Sequence, residues 1–311
     1  MAASGKWTAA DMPTQAGKTV LVTGANSGIG YQAALELARH GAHVLLGCRS
    51  ESKGNAALDR LKREVTKASV EIAIVDMASL SSIRAFASQY VSRGGTLDIL
   101  VNNAGVMAVP SREFTSDGFE RQFGTNHLGH FALTGLLMPA LSKAVAPRVV
   151  TVASLAHRDG KIELDNLQSE RSYKPWDAYN NSKLANILFA KELDRRMREA
   201  GSSLLSVAVH PGVSKTGITE TGPGSNTKDL KVRLVKLLGP LLMQNDAMGA
   251  LPTEYAATSP DVHGGEYIGP DGMGEIKGYP KVVQPRPQAL DEASGKKLWE
   301  RSEQLTGVVF P

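Results

Sequence analysis

The chain has 311 residues, 42% hydrophobic and 21% charged, enough to bury a sizeable core as one α/β domain without disulfide staples. The formal net charge is +4, but Lys and Arg are spread among Asp and Glu and no basic run alternates with aromatics, which argues against a nucleic-acid partner. A single cysteine, Cys48, excludes an internal disulfide and a cysteine-based metal cluster and suits a reducing compartment.

The first residues, MAASGKWTAADMPTQAGK, are polar and lack the apolar core of a signal peptide or anchor. No run of about eighteen apolar residues follows, so a cytoplasmic protein without an integral membrane segment is expected. Residues 1–16 read as an N-terminal extension, and 17–311 as a single domain. Strand patterns at 19–23, 43–46, 70–75, 99–101, 148–152 and 204–209 interleave with helical patterns at 29–40, 53–67, 80–90, 119–137 and 178–200. This alternation predicts a Rossmann-type doubly wound parallel sheet in three layers, α/β/α. After His210 the pattern weakens, and 214–250 reads as a substrate lid. Within it KVRLVKLLGPLLM, at 231–243, reads as a cover for an apolar pocket, with contact to a membrane surface as the alternative. Residues 264–287 read as a short strand with successive turns, and 290–305 as a last helix packed on the body.

The first strand runs into Gly24-Ala25-Asn26-Ser27-Gly28-Ile29-Gly30, with a helical pattern directly behind it. Glycines at these spacings permit a tight turn and close approach of a pyrophosphate, while the helix N-terminus offers unpaired N–H groups. Strand, loop and helix in this order predict a dinucleotide site. The second strand ends at Cys48-Arg49-Ser50, where an NAD enzyme would place a carboxylate on the ribose. Arg49 instead suits a 2′-phosphate, so NADP(H) is expected over NAD(H).

Tyr179 and Lys183 stand four residues apart, on one face of a helix. A free phenol titrates near 10. An adjacent ammonium, helped by an oxidised nicotinamide, favours the phenolate and makes the pair a proton-transfer group. Ser154 follows the strand at 148–152 and so falls at the carboxyl end of the sheet, where it can hold a substrate oxygen. His127, His130 and His157 have no acidic or cysteine partner at ligand spacing, so no metal is expected and they read as pocket wall or surface. Cys48 reads as a buried strand-end thiol, its alternative being a redox-sensitive thiol beside Arg49.

TGANSGIG, Asn102-Asn103-Ala104-Gly105, Asn126, Ser154, the YNNSK pentad and His210-Pro211-Gly212 together resemble the short-chain dehydrogenase/reductase family over roughly residues 17–270. NNAGVM, GTNHLGHFALTGLL, YNNSKLANILFAKEL and GYPKV most resemble its retinol-dehydrogenase-like branch. The resemblance implies that Gly24, Asn26, Ser27, Gly28 and Ile29 surround the pyrophosphate and adenosine side, with Arg49 at the 2′-phosphate. It puts Asp76 and Met77 at the adenine, and Asn103, Ala104 and Gly105 along the next part of the cofactor. Pro211, Gly212, Val213 and Thr216 fall at the nicotinamide and its phosphates, where Tyr179 and Lys183 also touch the cofactor. Asn126 completes a catalytic tetrad with Ser154, Tyr179 and Lys183 by holding a water that joins Lys183 to solvent. Blander readings stand beside these: Asp76 as a cap for the helix near Leu80, Asn126 as a residue bending a helix, Pro211-Gly212 as a turn.

The expected activity is therefore NADP(H)-dependent hydride transfer between the nicotinamide and a carbonyl or alcohol, with a lipophilic aldehyde or ketone, retinal-like or steroid-like, as substrate. A non-catalytic NADP(H) sensor is one rival, opposed by retention of all four catalytic residues. A nucleotide-sugar epimerase or dehydratase is another, opposed by the lack of a clear second domain. Members of the branch often carry an N-terminal membrane anchor, which this sequence lacks, so its substrate need not be a membrane lipid. The family resemblance implies a homodimer or homotetramer with the helices at 119–137 and 178–200 as its interface; a monomer stays open, because their apolar faces can equally be buried by the sheet or the C-terminal segment.

Overall fold

The computed structural model describes residues 6–213 and 244–310. Eight strands form one sheet: β1 (Thr19–Thr23), β2 (His43–Cys48), β3 (Ser69–Ile74), β4 (Ile99–Asn102), β5 (Arg148–Val152), β6 (Leu205–Val209), β7 (Tyr267–Pro270) and β8 (Pro280–Val282). Their order is β3-β2-β1-β4-β5-β6-β7-β8, parallel throughout except for the antiparallel edge strand β8. Central strands such as TVLVT and RVVTV are buried along all but their first residue because both faces are covered. Val20 pairs with Val44 on one side and Ile99 on the other, so the winding direction reverses at β1 and β4. The loops leaving these two strands diverge and open a crevice at the carboxyl end of the sheet.

Helices α1 (Gly28–Arg39) and α2 (Glu51–Glu64) cover one face; α3 (Leu80–Ser92), α5 (Gly129–Leu141) and α6 (Pro175–Glu199) cover the other, α5 being preceded by the short α4 (Arg121–Phe123). Ser50 and Ser79 cap α2 and α3, accepting from the N–H groups of Lys53 and Ser82. The helix α7 (Asp246–Thr258) joins α1 on its face of the sheet, capped by Asn245, whose Oδ1 accepts from Met248 N–H at 2.8 Å. Part of the segment read as a lid thus belongs to the body, since Asp246–Ala250 begin α7. Residues 214–243, with Thr216 and the KVRLVKLLGPLLM stretch, lie outside the described residues. No helix among the described residues is long and apolar enough to cross a membrane.

The C-terminal helix α8 (Glu292–Thr306) lies along α6. Its Trp299 meets Phe131 of α5 edge-on at 5.0 Å, stacks on Phe189 of α6 at 5.8 Å and contacts Phe310 at 4.4 Å. The apolar faces of α5 and α6 are buried within the chain, beneath this C-terminal segment. Truncating Trp299 to Ala would leave a cavity no neighbour can fill, and about 3–5 kcal/mol of stability should be lost, read as a lower urea midpoint at unchanged slope. At the other end of the chain Met12 and Gln15 are buried against the body.

Candidate active site

A cleft of about 580 Å³ opens at the carboxyl ends of the strands. It is lined by Gly24, Asn26, Ser27, Gly28, Ile29, Arg49, Asp76, Met77, Asn103, Ala104, Gly105, Ser154, Tyr179, Lys183, Pro211, Gly212 and Val213. Of the predicted site residues with described positions, Asn126 alone is missing from this wall.

The end nearest β1 is built for close approach. A Cβ added at Gly30 would collide with Asn103 Nδ2 and lie 2.6 Å from the Gly24 carbonyl, so only glycine lets α1 start this near the β4 loop. That loop is pinned from below: the Thr23 hydroxyl accepts from the N–H groups of Asn103 at 2.9 Å and Ala104 at 3.0 Å. Ser27 stands at the N-cap of α1 without a capping hydrogen bond, so the first-turn N–H groups are left to face the cleft. Arg49 is exposed at the cleft edge with no ion pair or hydrogen bond among the described residues. Asp76 accepts from Ala78 N–H at 2.9 Å, while Ser79 caps α3, which removes the reading of Asp76 as that helix's cap. Free helix-end donors, glycine-only packing and a cation without a partner among the described residues fit a phosphate-bearing dinucleotide.

At the other end, Ser154 caps a short 3₁₀ turn (Leu155–Asp159) directly after β5, its Oγ accepting from Ala156 N–H at 3.2 Å. Tyr179 and Lys183 lie one turn apart on α6, with the ammonium 5.8 Å from the phenol ring centroid. Lys183 Nζ donates to the Val152 carbonyl at 3.0 Å, an acceptor shared with Asn186 Nδ2 at 3.0 Å. Burial lowers the Lys183 ammonium to about 8. The Tyr179 phenol is pushed up by burial and pulled back by the Ser154 hydroxyl. Within the chain itself burial is the larger of the two effects, and the phenol is raised. Trp176, one turn before Tyr179, sets its ring edge-on to the Tyr179 ring at 6.1 Å and joins Val106, Met107 and Leu155 in an apolar wall beside Ser154.

Asn126 lies beneath the cleft, fully buried in a π-helical turn (Gly124–Leu128) that interrupts the helix expected to run unbroken over 119–137. Its Nδ2 donates to the Val106 carbonyl and to Ser182 Oγ, both at 2.9 Å, and its Oδ1 accepts from Val106 N–H at 2.8 Å. The side chain therefore ties the β4 loop to α6. Its main-chain carbonyl accepts from His130 Nδ1 at 2.9 Å.

The three histidines are neither wall nor surface, which corrects that expectation. His127 bonds Ser302 on α8 at 2.9 Å, His130 bonds Thr23 at 2.9 Å, and His157 donates from Nδ1 to the Ser154 carbonyl at 2.7 Å. Burial lowers them to about 3, 4 and 4, so all three are neutral at physiological pH. The Ser302 and Thr23 partners come from distant segments, so sequence spacing carried no sign of them. Cys48 is buried at the end of β2, and burial raises its thiol to about 11, as a strand-end rather than a redox-sensitive cysteine.

A sequence model described as short chain dehydrogenase matches residues 18–224. Human retinol dehydrogenase 13 is 42% identical over 302 residues, covering 95% of this chain and 86% of that protein. Human retinol dehydrogenase 11 is 46% identical over 292 residues, covering 94% and 86%. A crystal structure of an uncharacterised protein from Mycobacterium paratuberculosis superposes with a TM-score of 0.81 at 42% identity, covering 99% of this chain and 100% of the other. The chain belongs to the short-chain dehydrogenase/reductase family, in its retinol-dehydrogenase-like branch, and is an oxidoreductase of alcohols and carbonyls that works with a nicotinamide cofactor.

Proposed function

We propose that this protein is an NADP(H)-dependent reductase of lipophilic aldehydes and ketones, running in reverse on the corresponding alcohols, with Tyr179 as its acid and base. The observation that carries this reading is the placement of Ser154, Tyr179 and Lys183 on one wall of the cleft whose other end holds the glycine loop and Arg49. When bound, the nicotinamide supplies or accepts a hydride at C4. Ser154 holds the substrate oxygen, and Tyr179 delivers the proton to it or removes it. Lys183 holds the nicotinamide ribose and presents its charge to the phenol. With the positive charge of an oxidised nicotinamide added, these fields oppose the desolvation that raises Tyr179. Asn126 keeps the β4 loop and α6 in register, which sets where Lys183 stands.

The apolar wall of Val106, Met107, Leu155 and Trp176 and the names of the retinol dehydrogenase relatives support a lipophilic substrate. Reduction is the favoured direction because cells keep NADPH mostly reduced. Arg49 selects the cofactor. Replacing it by Ala should raise the Kd for NADPH about 10–100-fold and leave that for NADH within about twofold, the loss of one charge-assisted contact. Fluorescence titration with both cofactors measures this, and equal losses for the two would overturn the assignment.

A further inference from the structure

Behind the catalytic wall lies a polar cluster to which the reaction so far assigns nothing. His157 and Arg158 come from the turn that begins at Ser154, His210 from the end of β6, Tyr267 from β7, and Glu275 from the turn between β7 and β8. Glu275 joins them: its Oε2 lies 2.9 Å from Arg158 Nη2 and 3.1 Å from His210 Nε2. His210 Nδ1 accepts from Gly212 N–H at 3.2 Å, so the neutral ring carries its proton on Nε2 and donates it to the carboxylate. That bond, together with the Arg158 charge, holds the Glu275 carboxyl below the usual range, and it is ionised. Tyr267 fills the space between, its ring 5.3 Å from that of His157 and 5.1 Å from that of His210.

The backbone of Glu275 lies at φ 60°, a left-handed conformation that disfavours any residue with a Cβ, and the preceding Gly274 lies at φ 66°. A second glycine would relieve this conformation, yet glutamate stands there. The same turn also backs the loop facing the nicotinamide: Val213 N–H donates to the Ile276 carbonyl at 2.8 Å, and a Cβ on Gly212 would collide with that carbonyl. Arg158 therefore links Glu275 to the turn that carries Ser154, while His210 links it to Pro211–Val213.

We infer that Glu275 is a positioning residue: its carboxylate clamps the Ser154 turn to the Pro211–Val213 loop and so fixes the gap in which the nicotinamide and the substrate oxygen meet. This rests on the function proposed above. Glu275→Gly separates positioning from folding, because glycine accepts the backbone. It should melt within a few degrees of the unaltered protein while its Kd and KM for NADPH rise about tenfold. Glu275→Gln should weaken NADPH binding by a similar factor. Arg158→Gln should do the same, and combining it with Glu275→Gln should add less than twofold, since each removes the same clamp. NADPH titration without substrate reads the clamp, and turnover of the unaltered protein reads the underlying function. NADPH affinity within twofold of the unaltered protein in Glu275→Gly, or full additivity in the double variant, overturns the clamp alone. Failure of the unaltered chain to bind NADPH overturns both.

Discussion

Tyr179→Phe is expected to lower kcat about a thousandfold or more while leaving the Kd for NADPH within about threefold. The substitution removes one oxygen and keeps the ring, so the edge contact with Trp176 and the course of α6 persist. The cofactor is held mainly elsewhere in the proposed complex, by the α1 first turn, Arg49 and the 211–213 loop. What disappears is the group that gives the substrate oxygen its proton, a contribution of typically 10²–10⁴ in rate, compounded by the lack, among the described residues, of another acid on that wall with a comparable position. A kcat within tenfold of the unaltered enzyme would remove Tyr179 from the reaction. Parallel losses in NADPH affinity and kcat would instead make it a binding residue.

Lys183→Met is expected to cost about 100–1000-fold in kcat/KM, and it carries a second signature in stability. Lys183 is 5% exposed; its ammonium rests on the Val152 carbonyl and is lowered by burial from the usual 10.5 to about 8. Between those two values the unfolded chain holds a proton that the folded chain has released. Unfolding free energy therefore gains from this group as pH rises through about 8 to 10, by up to roughly 3 kcal/mol, and gains nothing from it below pH 8. Methionine has no such term. The unaltered protein should thus approach the variant in stability as the solution is made alkaline, with the variant more stable near neutrality. Urea melts at a series of pH values read this difference, and parallel curves for the two proteins would contradict a desolvated, titrating Lys183.

The parts of this protein that a sequence reading reaches are those written in local spacing. Six strands are visible because β-branched runs repeat between helical patterns, and the β1 loop is visible because its glycines lie within seven residues between a strand and a helix. Tyr179 and Lys183 share a helix face, so one period suffices to pair them. The π turn at Asn126 leaves no such trace. An extra residue there shifts the helical phase, but α5 is buried on nearly every side and has no polar stripe in which a shift would register. Helix α7 contains Pro252 and Gly249 and follows the Gly- and Ser-rich stretch, so its pattern merges into the segment read as a lid. The edge strand β8 has three residues, too short for alternation to speak. The supports of the site depend on long-range meetings: Tyr267 lies 113 residues from Ser154, and Arg286, whose N–H donates to His157 Nε2 at 3.3 Å, lies 129 residues from that histidine. Only the fold can bring such pairs together, and the histidines look unattached until it does.

The most direct test of hydride transfer to a lipophilic carbonyl uses NADPH with both C4 hydrogens replaced by deuterium, the purified protein and a long-chain or retinoid aldehyde. Mass spectrometry of the product should find the alcohol carrying one deuterium on its carbinol carbon, formed in step with NADPH oxidation and absent with Tyr179→Phe. An alcohol without deuterium, or NADPH left unconsumed across aldehydes and ketones of this class, would contradict the account.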